Sequence, residues 1–438
     1  MFSNWRPILL LLRRALWVRS GLICLLAVAA AILAPYTEPY VPDELPTRIG
    51  ADSVETLLRI LASSMLAVTT FSLTVMVAAY SAAERHVTPR AAGLLREDTT
   101  THNVLATFIG AFLFSLSGIV LLSTQAFGSQ ARVPMFLMTL AVVLLIVVTL
   151  LRWIQHLSQF GRLAHTTDRI EKEVTRALLD RARSPFMGAN PLRDGDIPAD
   201  AEPVFLDSMG YAQHLDVEAL NECAREHESR IYGHCLPGAF IDFTRPVVRV
   251  AGGTPAAVEE AVRSAYSVAV DRTYEQDPRF GLSVLTEVAS RALSPSVNDS
   301  GTAIDIIGRL LRMLTIWTQT CNEAEAEIEY SHIWIPGLVA GDLMDDAFGP
   351  IARDAADKFE VQVRLQKALA ALDRLGHEPL RTEAQRLSRQ ALTYTDSALA
   401  LEVEKRRIRH SACGGPGQEP ASNAAAAAVA GAPDSMPG

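Results

Sequence analysis

Four long apolar segments in the first third of the chain predict four membrane-spanning helices. They lie at about residues 15–36, 57–83, 104–124 and 133–152. A hydrocarbon core about 30 Å thick is crossed by ~20 consecutive apolar helical residues, and each segment is long enough. The first could also be a cleaved signal peptide, because arginines precede it and small residues, Ala29-Ala30-Ala31, lie near its end. We favour a retained span, because Trp17 and Tyr36 then fit the two interfacial belts.

The distribution of arginine predicts that both ends of the chain lie on the cytoplasmic side. Arg13 and Arg14 precede the first span, and the loop after the second span carries Arg85 and Arg90. The connection between these two spans is acidic, with Arg48 as its single basic residue. Because Lys and Arg are retained on the cytoplasmic side, the acidic loop should be external. Four crossings return the carboxy-terminal part to the cytoplasm.

Beyond residue 153 the pattern becomes amphipathic, which predicts a cytosolic α+β domain after the membrane bundle. Residues 154–202 are predicted to form an amphipathic helix and a linker, and residues 203–254 a small β unit of about four strands. Residues 255–409 are predicted to be mostly helical, with helices over 256–275, 282–293, 302–319, 342–375 and 378–409 and a strand over 328–335. Residues 410–438 are rich in Gly, Pro and Ala and are predicted to be disordered. The fold class is therefore a transmembrane α-helical bundle of residues 1–153 followed by a cytosolic α+β domain.

Hydroxyl side chains form a stripe along the second predicted span. At 100° per residue four of them fall on one face of the helix, namely Ser63, Thr70, Thr74 and Ser81. Such a stripe is either a surface where helices approach closely or the lining of a polar pathway. The third span also carries small residues at helical spacing, including Ala106 and Gly110, which suits close helix contact.

The composition and charge of the chain indicate few functional sites. The net charge of −9 argues against a nucleic-acid partner, whose binders cluster Lys and Arg on one face. The five cysteines are too scattered for a disulfide framework. Four residues have metal-ligand chemistry and lie close in sequence, namely Cys223, His227, His234 and Cys235. Their spacing is not that of a structural zinc site, so we predict no metal and no cofactor.

The polar segment between two predicted helices is the most conspicuous feature of the second part of the chain. Pro295 cannot continue the preceding helix, so residues 294–301 should form a turn. Thr302 and Asp305 match the spacing of a capping box, with Thr302 as the expected cap. The turn is either a junction held by hydrogen bonds or a polar site for a small ligand at a helix amino terminus. Its candidate residues are Arg291, Ser294, Asn298, Asp299 and Thr302.

Signatures of catalysis are missing from the sequence. It contains no phosphate-binding G-x-x-x-x-G-K-[ST] loop, no G-x-S-x-G elbow and no H-E-x-x-H pair. Neighbouring carboxylates such as Asp345/Asp346 have basic neighbours and are typical of solvated helix faces. The four spans also lack an ionisable residue near their middle, which argues against a proton-coupled carrier. We therefore predict no catalytic residues and no enzymatic activity.

Several short motifs resemble a bacterial family of predicted membrane proteins known only as domain of unknown function 2254. They include Phe71-Ser72-Leu73 and Pro89-Arg90 in the membrane part. Those in the second part are Gly210-Tyr211, Pro237-Gly238, Asp277-Pro278, Phe280-Gly281 and Ala292-Leu293-Ser294-Pro295 with Asn298-Asp299 and Thr302-Ala303. The sequence departs from the family pattern at Ser296 and Ser300, where Gly and Pro are usual. The resemblance implies a multi-pass protein of the bacterial cytoplasmic (inner) membrane and implies no activity.

These observations favour an integral membrane protein that senses or scaffolds, with the lipid bilayer as a partner and a homo-oligomer as its assembly. The alternative is an oligomeric channel or conduit lined by Ser63, Thr70, Thr74 and Ser81. The sequence identifies neither a protein partner nor a small-molecule partner.

Overall fold

The computed structural model describes two compact units, Met1–Thr166 and Thr167–Gly438. The described residues are 51–86, 88–91, 99–123, 132–159, 163–253, 255–323 and 327–414, together with Leu25 and Ala29. The break between the units falls later than the predicted boundary after residue 153. The helix of the last span accounts for part of the difference, because it continues past that boundary to Gln159.

Within the described part of the first unit, three helices are long and apolar enough to cross a membrane. They are α1 (Ala51–His86), α2 (Thr99–Ser123) and α3 (Arg132–Gln159). These helices confirm the apolar helices predicted at 57–83, 104–124 and 133–152. The span predicted at 15–36 lies outside the described residues except for Leu25 and Ala29, which are both helical. Four crossings therefore stay a prediction.

Helix α2 lies between α1 and α3 in the described bundle. Phe108 and Phe114 are completely buried, and the small residues Ala106 and Gly110 are buried as well. A Cβ atom on Gly118 would lie against Leu58 of α1 and Met135 of α3 at distances too short for van der Waals contact. The small residues of α2 therefore allow the close helix contact that their spacing predicted.

The amphipathic helix predicted within residues 154–202 is present, and most of it lies in the second unit. Helix α4 (Leu163–Arg183) buries Ile170, Val174 and Leu178 along one face, at the predicted spacing. The predicted linker after it is partly strand, because β1 (Ala189–Pro191) lies within it. Strand β1 is recruited by a parallel partner far along the chain, which local composition does not reveal.

Two β-sheets form the next layer of the second unit, and they draw strands from well outside the predicted β unit of residues 203–254. The described sheets have the orders β1-β8-β4-β6-β2 and β5-β3-β7. The remaining strands are β2 (Glu202–Val204), β3 (Gly210–Leu215), β4 (Arg230–Gly233), β5 (Phe240–Ile241), β6 (Val248–Ala251), β7 (Tyr266–Ala269) and β8 (Tyr330–Ile335). Strand β8 lies in the predicted 328–335 strand and pairs in parallel with both β1 and β4. The boundary predicted at residue 254 is therefore wrong, because one sheet joins residues on both sides of it.

The sheets pack against two short helices, α5 (Val217–Glu226) and α6 (Pro255–Ala265). Val258 and Val262 of α6 and Leu220 of α5 belong to the same buried apolar cluster as the sheet residues. The helix predicted over 256–275 is thus too long, since its second half forms β7. Strand β7 pairs antiparallel with β3, a partner that the local helical spacing could not indicate.

Six further helices complete the described part of the second unit. They are α7 (Pro278–Ala292), α8 (Ser300–Glu323), α9 (Ala340–Asp354), α10 (Phe359–Asp373), α11 (Glu378–Ala398) and α12 (Glu402–His410). Two predicted long helices, 342–375 and 378–409, are each divided in two. The second division comes at Leu399 and Leu401, whose extended backbone angles interrupt the helical hydrogen bonding. Of the tail predicted to be disordered, residues 411–414 are described and form a turn, and the rest lies outside the described residues.

Candidate functional site

The hydroxyl stripe of α1 faces away from the described helices that α1 packs against. Ser63, Thr70, Thr74 and Ser81 are all exposed. The buried residues of α1 are Val54, Leu58, Met65 and Ser72. At 100° per residue the buried set and the hydroxyl set lie roughly 180° apart around the helix axis. The hydroxyl face is therefore not the packing surface used by α2 and α3.

The hydroxyls satisfy themselves within their own helix. Thr70 Oγ1 donates to Leu66 O at 2.9 Å, Thr74 Oγ1 to Thr70 O at 3.0 Å, and Ser63 Oγ to Ile60 O at 3.1 Å. Because the hydroxyl protons of Ser63, Thr70 and Thr74 already have acceptors, these three residues leave no donor on the face to satisfy. Its polar oxygens and short side chains remain available to a surface that comes close.

The predicted turn between α7 and α8 is held by hydrogen bonds among its own members. Asp299 caps α8, because its Oδ1 accepts from Thr302 N at 3.0 Å and its Oδ2 from Thr302 Oγ1 at 2.6 Å. The expectation that Thr302 itself is the cap is therefore wrong: the helix begins at Ser300, and the hydroxyl of Thr302 donates back to the cap. These hydrogen bonds, chiefly that from the Thr302 hydroxyl, lower the pKa of Asp299.

The other residues of the turn also serve its geometry. Ser294 Oγ donates to Arg291 O at 2.7 Å, and Asp299 N donates to Ala292 O at 2.7 Å. Asn298 has φ 50°, in the left-handed region that Asn tolerates better than most residues. The geometry therefore supports the structural interpretation of this turn over the ligand-binding one.

The thiol and imidazole residues around β4 do not converge. In the part of the chain that the structure describes, no group of three or more His, Cys, Asp or Glu residues is arranged to hold a metal ion. Cys235 is buried and its thiol donates to Pro246 O at 3.8 Å. Burial, followed by the charges of Arg249 and Arg245, lowers the pKa of His234.

Several of the short motifs that resemble the family lie close together around Asp277, the cap of α7. Its carboxylate is 2% exposed, accepts from Phe280 N at 3.1 Å and pairs with Arg272 through bonds of 2.7 and 3.0 Å. A Cβ on Gly238 would overlap this carboxylate, and a Cβ on Gly281 would overlap Val174 of α4. The two glycines thus let a turn and a helix approach the cluster closely.

Arg181, close to this cluster, is a residue that motif-based reasoning missed. The residue is 8% exposed, and its Nε has no hydrogen-bond partner among the described residues. Burial lowers the pKa of Arg181 to about 10, and the charge of Asp277 only partly opposes that change. A signal existed in the sequence, because Arg181 shares the apolar face of α4 with Val174 and Leu178.

Arg309 is a second missed residue, with the opposite surroundings. It is also 8% exposed, but it donates to Asp305 of its own helix and to Asp168 and Glu171 of α4. These bonds raise the pKa of Arg309 despite its burial. The spacing of Asp305 and Arg309, four residues apart on a helix, was the available sequence signal.

A groove of about 320 Å³ lies between α8 and α10. Its lining combines apolar side chains with charged ones, namely Ile304, Asp305, Ile307, Gly308, Leu311, Arg312, Arg364, Lys367 and Ala368. This volume lies at the lower end of the range for small-molecule sites. No motif in the sequence pointed to it, because its two walls come from helices separated by a strand and another helix.

The architecture defines a class: a helical unit with apolar, membrane-length helices followed by a unit of mixed helices and sheets. The family comparison agrees, since the model of the family described as Predicted membrane protein (DUF2254) matches residues 13–371. The chain belongs to this family, as its motifs indicated.

Three uncharacterized mycobacterial proteins are similar to part of the chain. The chain is 25% identical over 250 residues to an uncharacterized protein of Mycobacterium bovis and to two of Mycobacterium tuberculosis. Each match covers 55% of this chain and 47% of the relative, so the chain spans about half the length of these relatives. No solved structure matches it.

Proposed function

We propose that the protein is a non-enzymatic, membrane-anchored sensor or scaffold that assembles as a homo-oligomer through the hydroxyl face of α1. In this proposal it is a four-span protein of a bacterial inner membrane, with both termini and the second unit in the cytoplasm. The observation that carries the proposal is the opposition of two faces on α1. One face is buried against the described bundle, and the other is a continuous exposed surface of small and hydroxyl side chains.

The chemistry of the exposed face suits contact between helices. In lipid there is no hydrophobic drive for helices to associate, so close backbone approach over small residues becomes a main source of attraction. Ala67 and Ala78 are exposed beside the hydroxyls and widen the flat surface. Since the hydroxyls of Ser63, Thr70 and Thr74 already donate to their own backbone, packing another helix there leaves none of these three donors unsatisfied.

The charges of the second unit support a binding or scaffolding role over catalysis. Carboxylates that stand near one another in sequence have separate arginine partners: Asp345 pairs with Arg386, and Asp346 with Arg279. A general acid and base need neighbouring groups with pKa values driven apart, and ion pairing of this kind is more typical of structural surfaces.

Leucine substitution on the stripe tests the assembly. Thr70→Leu with Thr74→Leu should lower the mass of the detergent-extracted protein measured by light scattering, because the larger side chains keep two helices apart. The matched control is Ser64→Leu, since Ser64 is another exposed hydroxyl residue of α1 about 100° away from the stripe.

The same variants separate the proposal from a conduit. Unchanged mass, together with altered solute leakage from reconstituted vesicles, would replace the proposal with a pathway lined by Ser63, Thr70, Thr74 and Ser81. Unchanged mass and unchanged leakage would refute both roles for the stripe.

A further inference from the structure

The groove between α8 and α10 carries positive charge that its surroundings do not neutralise. Arg364 and Lys367 lie three residues apart on α10, so their side chains are neighbours on one surface of that helix. Both are exposed, and neither forms an ion pair or hydrogen bond with the residues that the structure describes. The groove therefore presents two adjacent cations that are free to bind an anion.

The other charged residues of the groove are already engaged. Arg312 donates to both carboxylate oxygens of Glu171, at 2.9 and 3.0 Å. Asp305 accepts from Arg309 at 2.7 Å. Three carboxylates, Asp305, Asp168 and Glu171, share the two arginines Arg309 and Arg312 and together leave about one negative charge. With Arg364 and Lys367 added, the region of the groove keeps a net positive charge of about one.

The rest of the lining is apolar and has room. Ile304 and Leu311 of α8 and Ala368 of α10 line the same groove as the cations. Gly308, in the middle of the α8 wall, has no heavy atom within 4 Å of the position that a Cβ would occupy. A glycine inside a helix is destabilising relative to alanine, and here its missing side chain leaves the groove open.

We propose that this groove binds a small amphipathic phosphate monoester. Its dianionic head pairs with Arg364 and Lys367, matching their two charges, and its apolar group lies against Ile304, Leu311 and Ala368. Arginine supplies a planar fork of donors for phosphate oxygens, and lysine supplies a compact point charge beside it. Such a ligand would be the signal for the proposed sensor, but the site does not depend on the assembly of α1.

Binding of 1-naphthyl phosphate to the full-length protein in an uncharged detergent tests the site. We expect Arg364→Gln and Lys367→Gln each to weaken binding about tenfold, the scale of one charge-assisted hydrogen bond. Arg374→Gln is the matched control, because Arg374 is an exposed arginine just beyond α10 and outside the groove. If Arg364→Gln and Lys367→Gln bind the ester as tightly as Arg374→Gln does, the proposal is overturned.

A second pair of variants tests the apolar part of the site without touching a charge. Gly308→Leu should fill the groove and abolish binding, whereas Gly349→Leu should leave binding unchanged. Gly349 lies on α9, and its Cβ position is equally open, so the two substitutions make comparable demands on folding. Inorganic phosphate should bind far more weakly than 1-naphthyl phosphate, and equal affinity for the two would refute the amphipathic assignment.

Competition identifies the source of the ester. Displacement of 1-naphthyl phosphate by detergent-dispersed phosphatidic acid, but not by phosphatidylcholine, would support a lipid headgroup as the ligand. Displacement only by water-soluble phosphate esters would support a free metabolite of the same chemistry. The Thr70→Leu, Thr74→Leu variant should bind normally, so failure of the assembly proposal and failure of this site are distinguishable.

Discussion

Arg181 and Arg309 allow a matched test of buried charge, because both are arginines of the second unit with 8% exposure. Arg309 has three carboxylate partners, whereas Arg181 has no ion-pair partner among the described residues. We expect replacement by methionine, which keeps an apolar stem of similar length, to change stability in opposite directions. Arg181→Met should stabilise the second unit, and Arg309→Met should destabilise it.

The magnitude for Arg181 follows from its pKa, which burial lowers from 12.5 to about 10. One pKa unit corresponds to 1.36 kcal/mol, so the charged form is penalised by about 3 kcal/mol in the folded state. The penalty is fully present at neutral pH, where both the folded and the unfolded arginine are charged. Methionine removes the charge but also loses some contacts of the stem, so we expect a net gain of about 1–2 kcal/mol.

Arg309→Met should cost about 2 kcal/mol. Removing one partner of a buried ion pair usually lowers the free energy of unfolding by more than this amount. Here Asp168 and Asp305 are over half exposed, so water can solvate their carboxylates once the arginine is gone. Glu171 is only 18% exposed and would depend on Arg312 alone. The free energy of unfolding therefore falls by less than for a fully enclosed pair.

Unfolding of the second unit can be followed by the reaction of Cys235 with a thiol-specific dye. Cys235 is 1% exposed, so it should react only after the unit opens. Denaturant titrations of the detergent-extracted protein should give a higher midpoint for Arg181→Met than for the parent and a lower one for Arg309→Met. Arg181→Lys keeps the charge and should give no gain. A midpoint for Arg181→Met as low as that for Arg309→Met would refute the assignment of an uncompensated charge.

Two further substitutions test the helix junctions of the second unit. Asp299→Ala should cost about 1 kcal/mol through loss of the α8 cap, while Asp299→Asn should cost less, and the same dye titration measures both. Folding lowers the pKa of Asp299, so the contribution of Asp299 to stability is complete above the pKa of the unfolded state and is lost as the pH falls through the pKa of the folded state. The difference in midpoint between the parent and Asp299→Ala should therefore vanish in acid. Gly281→Ala should destabilise the unit by about 1–3 kcal/mol by overlapping Val174, and adding Val174→Ala should restore part of that loss; additive costs would contradict the contact.

Elements whose signals are local could be predicted well from the sequence. The three described membrane-length helices depend only on uninterrupted apolar length, and α4 depends on the spacing of Ile170, Val174 and Leu178. The turn after α7 follows from Pro295, which excludes continuation of the helix. Its polar residues were correctly grouped, but the cap was misplaced because Asp299 and Thr302 both fit a cap position and only the turn geometry decides between them.

Elements that depend on distant partners could not be predicted. Strand β1 is three residues long and exists because β8, about 140 positions later, pairs with it and accepts hydrogen bonds from the Asn190 amide. Strand β7 has the apolar spacing of a helix and becomes a strand through its pairing with β3. In both cases tertiary pairing overrides local preference.

The balance of charge separates structural residues from candidate binding residues more clearly than the motifs do. The polar motif around Asn298 and Asp299 forms hydrogen bonds within its own turn, which is what a structural junction requires. The groove shows the opposite pattern, because Arg312 and Asp305 are neutralised while Arg364 and Lys367 on the facing helix are not. An ion pair that served only stability would place a carboxylate opposite such cations, as Glu171 lies opposite Arg312. Two adjacent cations in a groove that also has apolar side chains and an open glycine are better explained by an anion that arrives from outside the chain.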